Sequence, residues 1–180
     1  VVAEKAISAD DRIAVPDMKL WSPENPFLYD FVLELSKDGK VLDSIKGYFG
    51  MRKYSIGEYE GYNRLFLNNE PYFQRGLLDQ GYWSDGGLTP PTDEAMIYDI
   101  EKMKDLGFNM LRKHIKVEPA RWYYHCDRLG MLVWQDMVSG GKALNVFHAG
   151  VLPNVYGVLN PLVNLTKKDN AYKIFNRDRI

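Results

Sequence analysis

Between Tyr72 and Trp134 the chain repeats one rhythm: a short apolar run, a helix-length stripe, then another apolar run. The apolar runs cover residues 72–77, 108–111 and 131–134. Thr92 stands as an N-cap ahead of Asp93 and Glu94, which suit the positive end of a helix dipole. Met96, Ile100 and Met103 follow at helical spacing, and Gly107 is the expected C′ stop. Pro119 suits the first turn of a second helix. Its stripe of Trp122, Cys126 and Leu129 ends at Gly130. A βαβαβ series of this kind predicts a parallel sheet with right-handed crossovers.

The preceding half has a different period. Residues 28–35 and 41–45 are strand-like and flank Lys37-Asp38-Gly39-Lys40, where Asp-Gly signals a hairpin because both turn residues tolerate positive φ. Residues 47–56 read as a further strand or two. Asn68-Asn69 marks another turn, between 64–67 and Tyr72-Phe73. The segment Trp21-Ser22-Pro23-Glu24-Asn25-Pro26 is excluded from regular structure by its two prolines. This half reads as the end of an antiparallel β-sandwich.

Composition excludes several classes of function. The 180 residues are 46% hydrophobic and 26% charged, enough for a sizeable core, and the net charge of −1 gives no phosphate- or anionic-membrane-binding surface. No apolar run approaches the ~18 residues of a membrane span, and mean hydropathy is −0.35. Neither a nucleic-acid nor a membrane partner is expected. The single Cys126 rules out an internal disulfide. His114, His125 and His148 are too widely spaced for a metal-ligand pattern. No glycine-rich phosphate loop, serine nucleophile elbow or paired-cysteine motif occurs, so no cofactor or metal is expected. The N-terminus shows no basic segment followed by an apolar one, and it lacks an initiator Met. Compartment stays open between cytoplasm and export.

In a parallel α/β sheet, ligands sit beyond the carboxyl ends of the strands. Each apolar run here exits into polar residues: Arg75, Asp79 and Gln80 after the first, Arg112, Lys113 and His114 after the second, Gln135 and Asp136 after the third. The convergence marks one end of the sheet as a candidate substrate face. The plainer alternative is that strand ends are surface anyway, where polarity costs nothing. Tyr82-Trp83, in a glycine-rich loop, can either stack on a sugar ring or pack beneath the loop. His125 is expected to face solvent or cap its helix, and Trp122 to pack helix on sheet. Lys167-Lys168-Asp169 reads as solvated surface, and residues 138–180 as a long loop.

The stretches LWSPENPFLYDFVLEL, GYFGMRKYSI, LFLNNEPYFQRGL, DIEKMKDLGFNMLRKH and YYHCDRLGMLVWQD, in that order, resemble glycoside hydrolase family 2 over residues 20–137. The resemblance implies an immunoglobulin-like β-sandwich portion (1–60) followed by the first part of a (β/α)₈ TIM barrel (61–180). It also implies a retaining exo-β-glycosidase, β-galactosidase-like in the first instance. A β-mannosidase-like or β-glucuronidase-like enzyme is the nearest alternative, and a non-catalytic carbohydrate-binding module is the alternative from another class. Arg75, Asp79, Gln80, His114 and Asp136 become substrate-binding candidates for a β-linked glycoside. The chain departs from the galactosidase pattern at Lys113-His114-Ile115-Lys116, at Gln80, and at Trp134-Gln135-Asp136, which is closer to β-mannosidases. A complete barrel needs about 250 residues. The expectation is therefore a truncated, inactive portion without the catalytic glutamates, partnered by the rest of its polypeptide and, as a candidate, by a second copy.

Overall fold

The computed structural model describes residues 5–7 and 11–138. It divides into two compact units, 1–135 and 136–180; of the second only residues 136–138 are described, so most of the expected 138–180 loop and the Lys167 run lie outside the described residues. The first unit holds β1 (Tyr29–Lys37), β2 (Lys40–Phe49), β3 (Tyr54–Tyr59), β4 (Tyr62–Leu67), β5 (Glu70–Pro71), β6 (Gly76–Asp79), α1 (Asp93–Asp105), β7 (Met110–Lys113), α2 (Ala120–Leu129) and β8 (Leu132–Gln135).

β1 and β2 form the Asp-Gly hairpin, with Asp38 and Gly39 both at positive φ. Its alternation is partial, with Val32 on the polar face, Asp43 opposite Leu35 on the apolar one and a bulge after Leu35. Phe31, Leu33 and Leu35 lie on one face with Ile45 and Phe49, whereas Asp30 and Glu34 pair with Tyr48 and Ser44 on the other. The strand or two expected over 47–56 are two: residues 47–49 end β2, and β3 begins at Tyr54 in the antiparallel β3–β4–β5 sheet. Asn68 and Asn69 turn the chain from β4 into β5 at φ of 54° and 70°.

Trp21, fully buried, ties these hairpins to the helical half. Its indole Nε1 donates to Asp127 O (2.7 Å), and its carbonyl accepts from Asn68 Nδ2 (3.0 Å). The Arg52 guanidinium lies over the Trp21 ring at 4.5 Å and pairs with Asp127 Oδ1 at 2.7 Å; Tyr48 OH donates to Asp127 Oδ2 at 3.1 Å. Burial and the Asp127 carboxylate together push the Tyr48 phenol up to about 12.

β6, β7 and β8 are parallel and adjacent, in the order β6-β7-β8, as the βαβαβ rhythm predicted. Thr92 caps α1 by accepting from Ala95 N at 3.1 Å. α2 ends at Gly130, φ 78°, where a Cβ would stand 2.4 Å from Pro23 O. One strand is corrected. The run at 72–77 does not form a single strand: Tyr72 N bonds Leu65 O as part of the preceding hairpin, and parallel pairing starts at Gly76. Met96, Ile100, Leu111, Trp122, Cys126 and Met131 make the core between helices and sheet.

Candidate functional site

The register aligns Leu77–Leu111–Val133, Leu78–Arg112–Trp134 and Asp79–Lys113–Gln135 as rows across the three strands. Side chains alternate along a strand, so neighbouring rows face opposite sides. The first row packs against the helical core. Leu78, Arg112 and Trp134 are exposed on the other face. Asp79 and Lys113 belong to the helix side, at the carboxyl end of the sheet.

Lys113 is 1% exposed, an expensive place for an ammonium unless opposite charge accompanies it. Its Nζ is 2.6 Å from Asp79 Oδ2 and 3.0 Å from Glu118 Oε1, and it lies 4.3 Å from the centre of the Trp122 ring. Glu118 Oε1 also pairs with Lys116 Nζ at 2.7 Å. Lys116 Nζ donates to Gly81 O at 2.7 Å, and Gly81 N donates to Asp79 Oδ1 at 2.7 Å. The contacts close into a ring: Asp79, Lys113, Glu118, Lys116, Gly81 and back to Asp79. Glu118 Oε2 is buried without a hydrogen-bond partner among the described residues. Asp99 of α1 stands nearby; burial, reinforced by the Asp79 charge and opposed by Lys113, raises its carboxyl above the usual range. A second set of bonds reaches β8: Tyr123 OH donates to Gln135 Oε1, Glu118 N donates to Tyr123 OH at 3.2 Å, and Gln135 Nε2 donates to Lys116 O at 2.7 Å.

Asp79 and His114 are brought together, since His114 N donates to Asp79 O at 2.9 Å; Gln80 follows Asp79 directly and is exposed. Arg75 is not with them, which corrects the expected clustering. It precedes β6, and its Nε donates to Gly107 O (2.9 Å) ahead of β7, at the amino end of the sheet. Its carbonyl and amide are held there by Asn109 N (2.9 Å) and Asn109 Oδ1 (2.7 Å). The shift follows from the strand starting at Gly76. Asp136 is the residue after β8 and opens the second unit. His125 is also corrected: it is buried, with Nδ1 accepting from Arg128 Nε at 3.0 Å and Nε2 3.4 Å from Asp93 Oδ2.

The glycine-rich loop separates its two aromatics. Trp83 packs against the core, its backbone bridged to Gly87, while Tyr82 is 71% exposed. Sequence reasoning missed the inward Lys113–Glu118 pair. The one available signal was Glu118, a carboxylate five residues after a lysine and just before the Pro119 helix start. Among the described residues no group of His, Cys, Asp and Glu side chains could hold a metal ion.

A parallel sheet with a polar carboxyl end, preceded by antiparallel hairpins, defines a class of α/β protein whose ligands meet that end. Comparison with known proteins narrows the class. Residues 1–52 match the sequence model of glycosyl hydrolases family 2, and the chain belongs to that family. It is 32% identical over 169 residues, 93% of its length, to a β-galactosidase of Oenococcus oeni. It is 29% identical over 141 residues to a putative β-glucuronidase of Formosa agariphila. The chain spans only 15% and 13% of the lengths of these two relatives. A crystal structure of a family 2 β-galacturonidase from Eisenbergiella tayi, bound to galacturonate, superposes with a TM-score of 0.63 at 26% identity, over 71% of this chain and 22% of that one.

Proposed function

We propose that this chain is part of a retaining exo-β-glycosidase acting on β-galactosides, and that the sugar meets the carboxyl end of the β6–β7–β8 sheet. One observation carries the reading: in a chain of a glycosidase family, two neighbouring parallel strands, β6 and β7, deliver Asp79, Gln80 and His114 to that single end. The immunoglobulin-like sandwich is supported by the exposed apolar face that Phe31, Leu33, Leu35 and Ile45 form on β1–β2, which needs a second sheet over it. The (β/α)₈ barrel is supported by the right order of parallel strands and helices, with the exposed Leu78–Arg112–Trp134 row as its inner face.

Retaining hydrolysis takes two carboxyl groups about 5–5.5 Å apart across the bond. Asp79 and Glu118 are both committed to Lys113, so neither supplies that chemistry. Acid and nucleophile come from outside residues 11–138, and this part contributes binding: Gln80 and His114 to sugar hydroxyls, Asp79 through the ring beside them. A uronic-acid substrate is the second reading, favoured by the likeness to a putative β-glucuronidase and to a galacturonate-bound β-galacturonidase. Turnover of the 4-nitrophenyl β-glycosides of galactose, glucuronic acid, galacturonic acid and mannose by the complete protein tests both. The galactoside should have the highest kcat/KM. A uronide in that place would replace the first reading with the second, and no turnover of any of them would refute the glycosidase.

A further inference from the structure

We propose that Lys113, Glu118 and Lys116 are positioning residues: the ionic ring they close around Gly81 sets the spacing between Gln80 and His114 on which sugar recognition depends. The kinetic part rests on the glycosidase reading above; the structural part does not.

The ring joins the two loops beyond the last β6–β7 ladder bond, His114 N to Asp79 O. One loop carries Gln80 and Tyr82, the other His114. Each link is a charge-assisted or backbone hydrogen bond of 2.6–3.0 Å, so each fixes direction as well as distance. An apolar side chain in place of Lys113 would fill the same space beside Trp122 with no desolvation cost, but it would hold neither loop. The chain is shaped to the ring in two further places. At Gly81, φ is +66°, and a Cβ would lie 2.4 Å from Glu118 Oε1 and 2.7 Å from Lys116 Nζ. The ring therefore closes on a bare Cα, and only glycine permits it. At Ile115, between His114 and Lys116, a β-branched residue sits at φ +47°. Such strain persists only where the surroundings over-determine the backbone. Here Lys116 is held at both ends, its side chain by Glu118 and Gly81 O and its carbonyl by Gln135 Nε2. The strained residue thus lies immediately after His114, and the ring is what fixes it.

Lys116→Met in the complete protein opens the ring at its outer link and leaves the Lys113–Glu118 pair in place, so the fold survives. Two readouts follow: amide hydrogen exchange at Gly81 and His114, and steady-state kinetics on the glycoside the wild type hydrolyses. The expected result is exchange faster by about tenfold at both amides and KM higher by about tenfold, with the melting temperature moved by less than about 2 °C. Lys116→Gln, which keeps a donor for Gly81 O, should fall between Met and wild type in both. Unchanged exchange at Gly81 and His114 overturns the ring as a positioning device. Faster exchange with unchanged KM overturns its link to sugar recognition. If the wild type hydrolyses no glycoside, the functional reading fails separately, and exchange alone decides whether the ring holds the loops.

Discussion

At the scale of single residues, Lys113 shows where a sequence becomes hard to read. It follows an apolar run and reads as a polar exit toward solvent, yet it is among the most buried side chains described. Its burial depends on Asp79, on another strand 34 residues earlier. No local period encodes that pairing, whereas the core stripe of Trp122, Cys126 and Leu129 followed from helical spacing alone. Lys113→Met should cost about 3–5 kcal/mol, because it strands Glu118 and Asp79 with less opposite charge; chemical denaturation of the variant measures it. Cys126 gives a second residue-level prediction. Burial, then the Asp127 charge, raises its thiol above the ordinary range. The thiol should be inert to a disulfide-exchange reagent at pH 8 in the native protein and react once denaturant is added.

At the scale of elements, strand boundaries moved by one to four residues, and the shift at the start of β6 has a partner that explains it. Tyr72 was drawn into the β3–β4–β5 sheet by Leu65 O, so β6 began at Gly76 and Arg75 fell at the amino end. Thr92 was legible, because capping is a local signal; Thr92→Ala should lower stability by about 1 kcal/mol in thermal or urea unfolding. The Trp21–Arg52–Asp127 junction was not legible, since its members are up to 106 residues apart. Trp21→Ala should cost about 3–5 kcal/mol. Tyr48, in the same junction, offers a pH test. Its folded value of about 12 lies above the unfolded value of 10, so the folded state holds the extra proton between the two. Its contribution to stability is complete below pH 10 and is lost as pH rises toward 12. Absorbance titration near 295 nm should show Tyr48 ionising late beside Tyr54 and Tyr72, whose phenols burial also raises, and the late group should lose one phenol in Tyr48→Phe.

For the whole molecule, the order of sandwich-like hairpins and parallel βαβαβ was readable because both depend on period, turn and cap. The division of the site between the two faces of the sheet was not, because it turns on register. One measurement tests whether function belongs to the carboxyl end: kcat/KM of the complete protein for its best 4-nitrophenyl β-glycoside in His114→Ala and Arg75→Ala, at opposite ends of the same strands. Both are off the core, so both should fold. His114→Ala should lose about tenfold or more by removing a contact that orients the sugar, while Arg75→Ala stays within about twofold of wild type. An unimpaired His114→Ala beside a crippled Arg75→Ala would place the substrate at the other end of the sheet and contradict the account.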